Sequence, residues 1–154
     1  MVAKKKGTGG GLTRSQVVTV RFDPKLKFAA ELAARKQRRT ISSFIEWSVE
    51  QAINGLEVAK DINFKSAMDL IWDVEEADRF VKLALHFPEL LTYEEEHLWK
   101  LIRDFSQFWC RDCKEYAGVI ETNADFDLIR FNWKTLQKIV AGEADPSSLS
   151  AVPF

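Results

Sequence analysis

The sequence has no run of about 20 apolar residues, which is the length that a membrane-spanning helix needs. Its basic N-terminus is not followed by the apolar stretch of a secretory signal. Only 2 of the 154 residues are cysteine, too few for a disulfide scaffold and typical of a reducing compartment. These absences predict a cytoplasmic protein.

Enzyme signatures are also missing. There is no nucleophile elbow, dinucleotide fingerprint or HExxH zinc motif, and the glycines of GTGGG lack the Lys-Ser/Thr ending of a phosphate-binding loop. Cys110 and Cys113 have a metal-like spacing, but zinc needs two more ligands and only His86 and His97 remain as soft donors. We therefore expect structural cysteines, no metal, no cofactor, no catalytic residue and no enzymatic activity.

Charge is divided unevenly along the chain. Residues 1–40 carry eleven basic and two acidic side chains, a net charge of +9. Residues 41–154 carry eleven basic and twenty-one acidic side chains, a net charge of −10. Such a division indicates that the N-terminal part meets a polyanion, for which nucleic acid is the leading candidate.

Residues 16–22, QVVTVRF, have the alternating pattern of a β-strand. Val18, Val20 and Phe22 share one face, and Val17, Thr19 and Arg21 share the other. No second convincing strand follows in the sequence. Because a lone strand leaves its backbone donors and acceptors unpaired, we expect the same strand of another subunit to pair with it.

Two helices are predicted directly after this strand. Asp23-Pro24 is a helix start, with an acceptor at the N-cap and proline at the first helical position, and the apolar spacing continues to about Arg39. Thr40 is the expected N-cap of a second helix, which Asn54-Gly55 ends.

This order of strand, helix and helix resembles the ribbon-helix-helix family of DNA-binding proteins, which includes the Arc, Met and CopG-type repressors. The resemblance is carried by VVTVRFDPKL and RRTISSFIEWSVEQAI, within residues 16–53. Gln37-Arg38-Arg39 stands where the family often has a glycine in the turn between the helices, and Val17 stands where it usually has a polar group. The resemblance implies an obligate homodimer whose two strands pair antiparallel and enter the major groove of double-stranded DNA.

The strand and the second helix supply the candidate DNA site. If one face of the strand packs on the helices, the other must point toward the bases, which makes the base-contacting residues Val17, Thr19 and Arg21. Free N–H groups at the start of the second helix can hold a phosphate. The predicted phosphate contacts are Lys4, Lys5, Lys6, Arg14, Arg38, Arg39, Thr40, Ser42 and Ser43. The predicted dimer core consists of Val18, Val20, Phe22, Ile45 and Val49.

The rest of the chain is predicted to be helical. Helices are expected over residues 64–74, 75–87 and 124–141, and a capping box at Thr92 opens a long helix through Leu98, Ile102, Phe105 and Trp109. The tryptophans Trp72, Trp99, Trp109 and Trp133 fall on apolar stripes and are interpreted as core. The fold class is therefore mainly α: a flexible basic leader (1–13), a ribbon-helix-helix domain (14–55), an all-α C-terminal domain (56–142) and a tail (143–154).

The function that these features favour is sequence-specific transcriptional regulation, most simply as a repressor in the nucleoid. Three alternatives stay open: an antitoxin whose C-terminal domain binds a toxin, an accessory protein of plasmid partition or conjugative transfer, and an interaction module that uses the ribbon only to dimerise. For the C-terminal domain, a protein partner, a ligand and a role in higher oligomers are all left open.

Overall fold

The computed structural model describes residues 17–109 and 123–150. The chain divides into two compact units, Met1–Ile53 and Asn54–Phe154, and its described part is mainly helical. None of the described helices is both long and apolar enough to cross a bilayer. Lys4, Lys5, Lys6, Arg14, Cys110 and Cys113 lie outside the described residues.

The first unit consists of an extended segment and two helices. Residues 17–23 have no regular secondary structure, so the predicted strand is not formed within the single chain, where nothing pairs with it. Helix α1 spans Pro24–Lys36 and helix α2 spans Ile41–Asn54. Asp23 and Thr40 cap them as predicted, because their side-chain oxygens accept from backbone N–H groups of the first turns.

Helix α1 ends three residues earlier than the sequence predicts. The N–H of Arg38 donates to the carbonyl of Arg35 and the N–H of Arg39 donates to that of Ala34, which is the Schellman pattern of a helix C-terminus. This motif requires a left-handed residue, usually glycine, and here Arg38 takes that conformation with φ 55°. The missing glycine therefore did not prevent the turn.

The second unit begins with a hairpin that the sequence analysis missed. Strand β1, Glu57–Ala59, pairs antiparallel with strand β2, Ile62–Asn63. Asp61 turns the chain with φ 64°, a conformation that aspartate tolerates better than most residues do. The strands are too short to show a clear alternation, and the turn contains no glycine.

Four helices complete the second unit: α3, Phe64–Ile71; α4, Glu76–His86; α5, Tyr93–Asp104; and α6, Phe126–Val140. The predicted capping box at Thr92 is confirmed. The main core joins α4, α5 and α6 around Val81, Ile102, Phe108 and Ile129. A smaller cluster of Ala67, Ile71 and Phe87 packs on the hairpin.

Three expectations for this unit need correction. Helix α5 stops at Asp104 instead of continuing to Trp109, whose indole N–H turns back to donate to the carbonyl of Ile102 at 3.0 Å. Trp72 is 59% exposed and is not part of the core, whereas Trp99, Trp109 and Trp133 pack against it. Within the expected tail, Ser150 exchanges two hydrogen bonds with the buried Asn132.

Candidate nucleic-acid interface

The segment that leads into α1 is open to solvent on both of its faces. Val18 is 79% exposed and Val20 is 59% exposed, although both belong to the face predicted to be covered, while Phe22 is half-buried. Val17, Thr19 and Arg21 of the other face are exposed. The single chain therefore leaves the outer face open and covers the predicted inner face only partly, at Phe22.

The start of α1 fixes the point at which this segment ends. The Asp23 carboxylate accepts from the N–H groups of Lys25 and Leu26, both at 3.0 Å, and Pro24 occupies the first helical position. The cap holds the backbone of Asp23 itself in the extended region, with ψ 156°. Arg21 thus lies two residues before a rigid helix end.

The start of α2 presents unused backbone donors. Thr40 Oγ1 accepts from the N–H of Ser43 at 3.1 Å, and the first helical bond runs from the N–H of Phe44 to the carbonyl of Thr40. Within the described chain, the N–H groups of Ile41 and Ser42 have no acceptor. Together with the positive end of the helix dipole, they form a site that suits a phosphate oxygen.

Four basic residues precede this helix start within six positions of the sequence: Arg35, Lys36, Arg38 and Arg39. All four are exposed, and no carboxylate of the described residues lies within 4 Å of their charged groups. Their charges therefore remain available to an anion outside the chain.

The ring of Trp47 stacks against Arg39, a contact that was not predicted from the sequence. The guanidinium of Arg39 lies 5.2 Å from the centre of the Trp47 ring, which in turn lies 5.9 Å from the ring of Phe44. Such stacking orders the guanidinium without neutralising its charge. The two residues are eight apart and lie on opposite sides of a helix cap, so no helical spacing links them in the sequence.

Most of the large apolar side chains among residues 17–53 are exposed. Among residues 17–53 only Ala34 is buried, and Val49, predicted to lie in the dimer core, is 52% exposed. Ile45, from the same predicted core, is half-buried. Other large apolar side chains of α1 and α2 are also exposed: Leu26, Phe28, Leu32 and Ile53. A segment this short without a core usually needs a partner to be stable.

No protein-family model, curated protein or solved structure matches the chain. Within residues 17–109 and 123–150, no group of three or more histidine, cysteine, aspartate or glutamate side chains could hold a metal ion.

Proposed function

We propose that this chain is a homodimeric ribbon-helix-helix protein that binds specific double-stranded DNA as a transcriptional regulator, acting as a repressor. The observation that carries the proposal is the first unit itself, in which residues 17–23 and two capped helices leave most of their large apolar side chains exposed and bury only Ala34. A second copy supplies what this unit lacks.

Dimerisation satisfies both the backbone and the side chains of the extended segment. Two antiparallel copies of residues 16–22 give each other a hydrogen-bonding ladder. Val18, Val20 and Phe22 then cover the helices, together with Ile45 and Val49. The opposite face, with Val17, Thr19 and Arg21, points outward on a two-stranded ribbon of the width that a major groove admits.

The start of α2 supplies the contacts that position this ribbon. A phosphate bound by the N–H groups of Ile41 and Ser42 and by the Ser42 and Ser43 hydroxyls lies near Arg38 and Arg39. Such contacts fix orientation and raise affinity without reading sequence. Because the dimer has two-fold symmetry, its operator consists of two related half-sites, and occupying a promoter there excludes polymerase.

The second unit favours a regulator over an antitoxin with a disordered toxin-binding tail. Its helices enclose a core in which Val81, Ile102, Phe108 and Ile129 are fully buried. A tail that orders only on a toxin has little apolar surface to bury by itself. A role in plasmid partition or conjugative transfer uses the same DNA-binding unit and differs in the location of the DNA site.

The decisive experiment is selection of DNA from a random pool, followed by fluorescence-anisotropy titration of the recovered sequence. We expect a two-fold motif whose affinity falls about 10³–10⁵-fold between about 50 and 200 mM salt, as six to ten phosphate contacts require. A scrambled duplex of equal length is the control. Failure to enrich any motif, or binding that ignores salt, would refute the proposal and leave the ribbon as a dimerisation device.

A further inference from the structure

Helices α3, α4, α5 and α6 of the second unit border a cavity of about 390 Å³. This volume falls in the range of about 300–1,000 Å³ that is usual for small-molecule sites. Its walls are mainly apolar and include the aromatic rings of Trp72, Phe80 and Trp133. The rings of Phe80 and Trp133 are 5.4 Å apart, so a flat molecule would meet aromatic surface.

Two carboxylates of the cavity wall have no ion-pair partner among the described residues. Glu76 Oε1 accepts from the side-chain amide of Gln137 at 3.1 Å, and Glu95 Oε2 accepts from the N–H of Thr92 at 2.8 Å in the capping box. Both donors are neutral, so each carboxylate keeps its full negative charge beside the cavity.

The one cationic side chain of the wall is already engaged. The guanidinium of Arg79 lies 5.0 Å from the centre of the Trp72 ring, and its Nη1 donates to the carbonyls of Asp73 and Val74. Arg79 Nη1 is therefore occupied by these carbonyls and is less available to donate to a ligand. The partners of Arg79 are neutral and leave its charge in place, so Glu76, Glu95 and Arg79 together give the wall a net charge of −1.

We propose that this cavity binds a small aromatic cation. Phe80 and Trp133 supply aromatic surface that Arg79 does not cover, and the two carboxylates outweigh the single guanidinium, so the wall favours a positive charge. The surrounding protein has the same preference, because residues 54–154 carry eleven basic and nineteen acidic side chains, a net charge of −8. The proposal does not depend on DNA binding by the first unit.

Three naphthalene probes of equal shape test the charge preference: naphthylmethylammonium, naphthylmethanol and naphthoate. We would titrate each into the full chain without DNA by isothermal calorimetry. The cation should bind at least about tenfold more tightly than the neutral alcohol, a ratio that a single near-surface charge contact provides. Naphthoate should give no measurable binding. Equal or tighter binding of naphthoate, equal binding of the alcohol, or binding of none of the three would overturn the proposal.

Conservative variants locate the binding site. Glu76→Gln and Glu95→Gln keep an amide oxygen for the bonds from Gln137 and Thr92, and glutamine also serves in a capping box. Each should weaken the cation about three- to tenfold and leave the alcohol unchanged. Glu89→Gln removes the same charge from the turn Pro88–Leu90, away from the cavity wall, and is the matched control. If Glu89→Gln weakens the cation equally, the site is not in this cavity.

A bulky side chain can also fill the cavity without disturbing the core. Met68 lines the cavity and is partly exposed, whereas the exposed Leu70 of the same helix does not line it. Met68→Trp should abolish binding of the cation, and Leu70→Trp should leave it unchanged. Wild-type affinity in Met68→Trp would show that the cation binds elsewhere. If the random-pool experiment recovers no DNA motif while the cation binds as expected, only the proposed regulator is overturned.

Discussion

At the scale of single residues, the important side chains are those whose environment conflicts with their chemistry. Arg38 adopts a left-handed backbone that suits glycine, and the exposed Arg21 has no ion-pair partner among the described residues. Asp78 is 8% exposed, and its Oδ1 makes no hydrogen bond within the described chain. In the proposed complex Arg21 and Arg38 contact DNA, whereas Asp78 lies in the second unit with Arg130 Nε 3.4 Å from its Oδ1.

Arg21→Ala tests the outward face of the ribbon. Loss of a bidentate contact to guanine should cost about 1–3 kcal/mol on the selected site and relax the base preference at one position of each half-site. Anisotropy titrations against the selected duplex and its single-base variants would measure both effects. Lys134→Ala, which removes an exposed charge from α6, is the control. Unchanged specific affinity in Arg21→Ala would place Arg21 outside the groove.

Arg38→Gly separates stability from DNA binding. Glycine removes the left-handed penalty of about 1–2 kcal/mol but adds freedom to the unfolded chain, so the free energy of unfolding should rise by up to about 1 kcal/mol. Losing one phosphate contact per subunit should reduce the magnitude of the salt slope by about 2 per dimer. Urea unfolding and salt-dependent anisotropy measure the two quantities.

Arg38→Lys is the control for this change, because lysine keeps the charge and also keeps a side chain in the left-handed position. It should retain the salt slope and gain no stability. If Arg38→Gly keeps the wild-type slope, Arg38 does not contact phosphate.

Asp78→Asn should change how stability depends on pH. Burial raises the pKa of Asp78 above its ordinary 3.8, although the Arg130 guanidinium, with Nε at 3.4 Å from Oδ1, opposes part of this rise. A raised folded-state pKa stabilises the fold below pH 3.8, and this contribution is lost as pH rises through the folded-state pKa. The excess stability of wild type over Asp78→Asn should therefore fall with increasing pH.

Asp73→Asn should show the opposite pH dependence of stability and serves as the comparison. A hydrogen bond from Lys82, at 2.7 Å, and another from the N–H of Glu75 lower the pKa of Asp73. Its contribution is present above pH 3.8 and is lost as pH falls through the folded-state pKa, so the excess of wild type over this variant should increase with pH. Urea unfolding from acid to neutral pH measures both curves. A flat curve for Asp78→Asn would mean that burial does not perturb this carboxyl group.

At the scale of elements, helix starts were predicted more reliably than helix ends. The end predicted at Asn54-Gly55 is confirmed, since α2 ends at Asn54, but other ends were placed wrongly. The N-cap residues Asp23, Thr40 and Thr92 can be recognised in the sequence, because an N-cap is a side chain directly before the helix that it begins. The ends of α1 and α6 use the same motif, but α6 has Gly142 at φ 75° where α1 has Arg38. Only the glycine is visible as a stop signal.

The other wrong predictions at this scale depend on contacts between residues that are distant in the sequence. Leu98, Ile102, Phe105 and Trp109 continue a helical spacing, yet the chain leaves the helix at Phe105, where ψ is 96°. Tertiary contacts decide this, since Trp109 packs back on the core and its indole donates to Ile102. In the candidate site, the backbone donors follow from the cap, whereas the pairing of Arg39 with Trp47 needs the three-dimensional turn.

Thr40→Ala tests the cap of α2. Without the hydroxyl, the N–H of Ser43 loses its acceptor, which should lower the free energy of unfolding by about 1 kcal/mol. Thr40→Ser keeps the hydroxyl and should stay within a few tenths of a kcal/mol of wild type. Urea unfolding at a fixed protein concentration measures the difference. Equal stability of Thr40→Ala and wild type would show that the cap contributes nothing.

At the scale of the whole molecule, the two units differ in what they bury. The second unit closes its own core, while the first buries only Ala34 among residues 17–53. The charge difference between the two parts of the chain was visible in the sequence. A dimer core was expected from the unpaired strand and the family resemblance, whereas helical spacing alone could not indicate it, because the same amphipathic pattern describes a helix packed on its own chain and one packed on another subunit.

Val49→Lys tests pairing of the first unit. In the proposed dimer each copy loses a buried valine side chain, worth about 1.5 kcal/mol or more, so the dissociation constant should rise at least about 100-fold. Gln51→Lys adds the same charge at an exposed polar position of α2 and should dimerise normally. Sedimentation velocity over a dilution series would measure both. Wild-type association of Val49→Lys would exclude α2 from the interface.

The uncovered apolar surface of the first unit also has a consequence for gene dosage. If this unit acquires its core only by pairing, then at low abundance its folded form increases with the square of the number of chains. Halving the supply of protein would reduce the active species about fourfold in that regime. Control of the DNA site would then behave as a threshold in expression level, set by the same side chains that a single copy leaves in water.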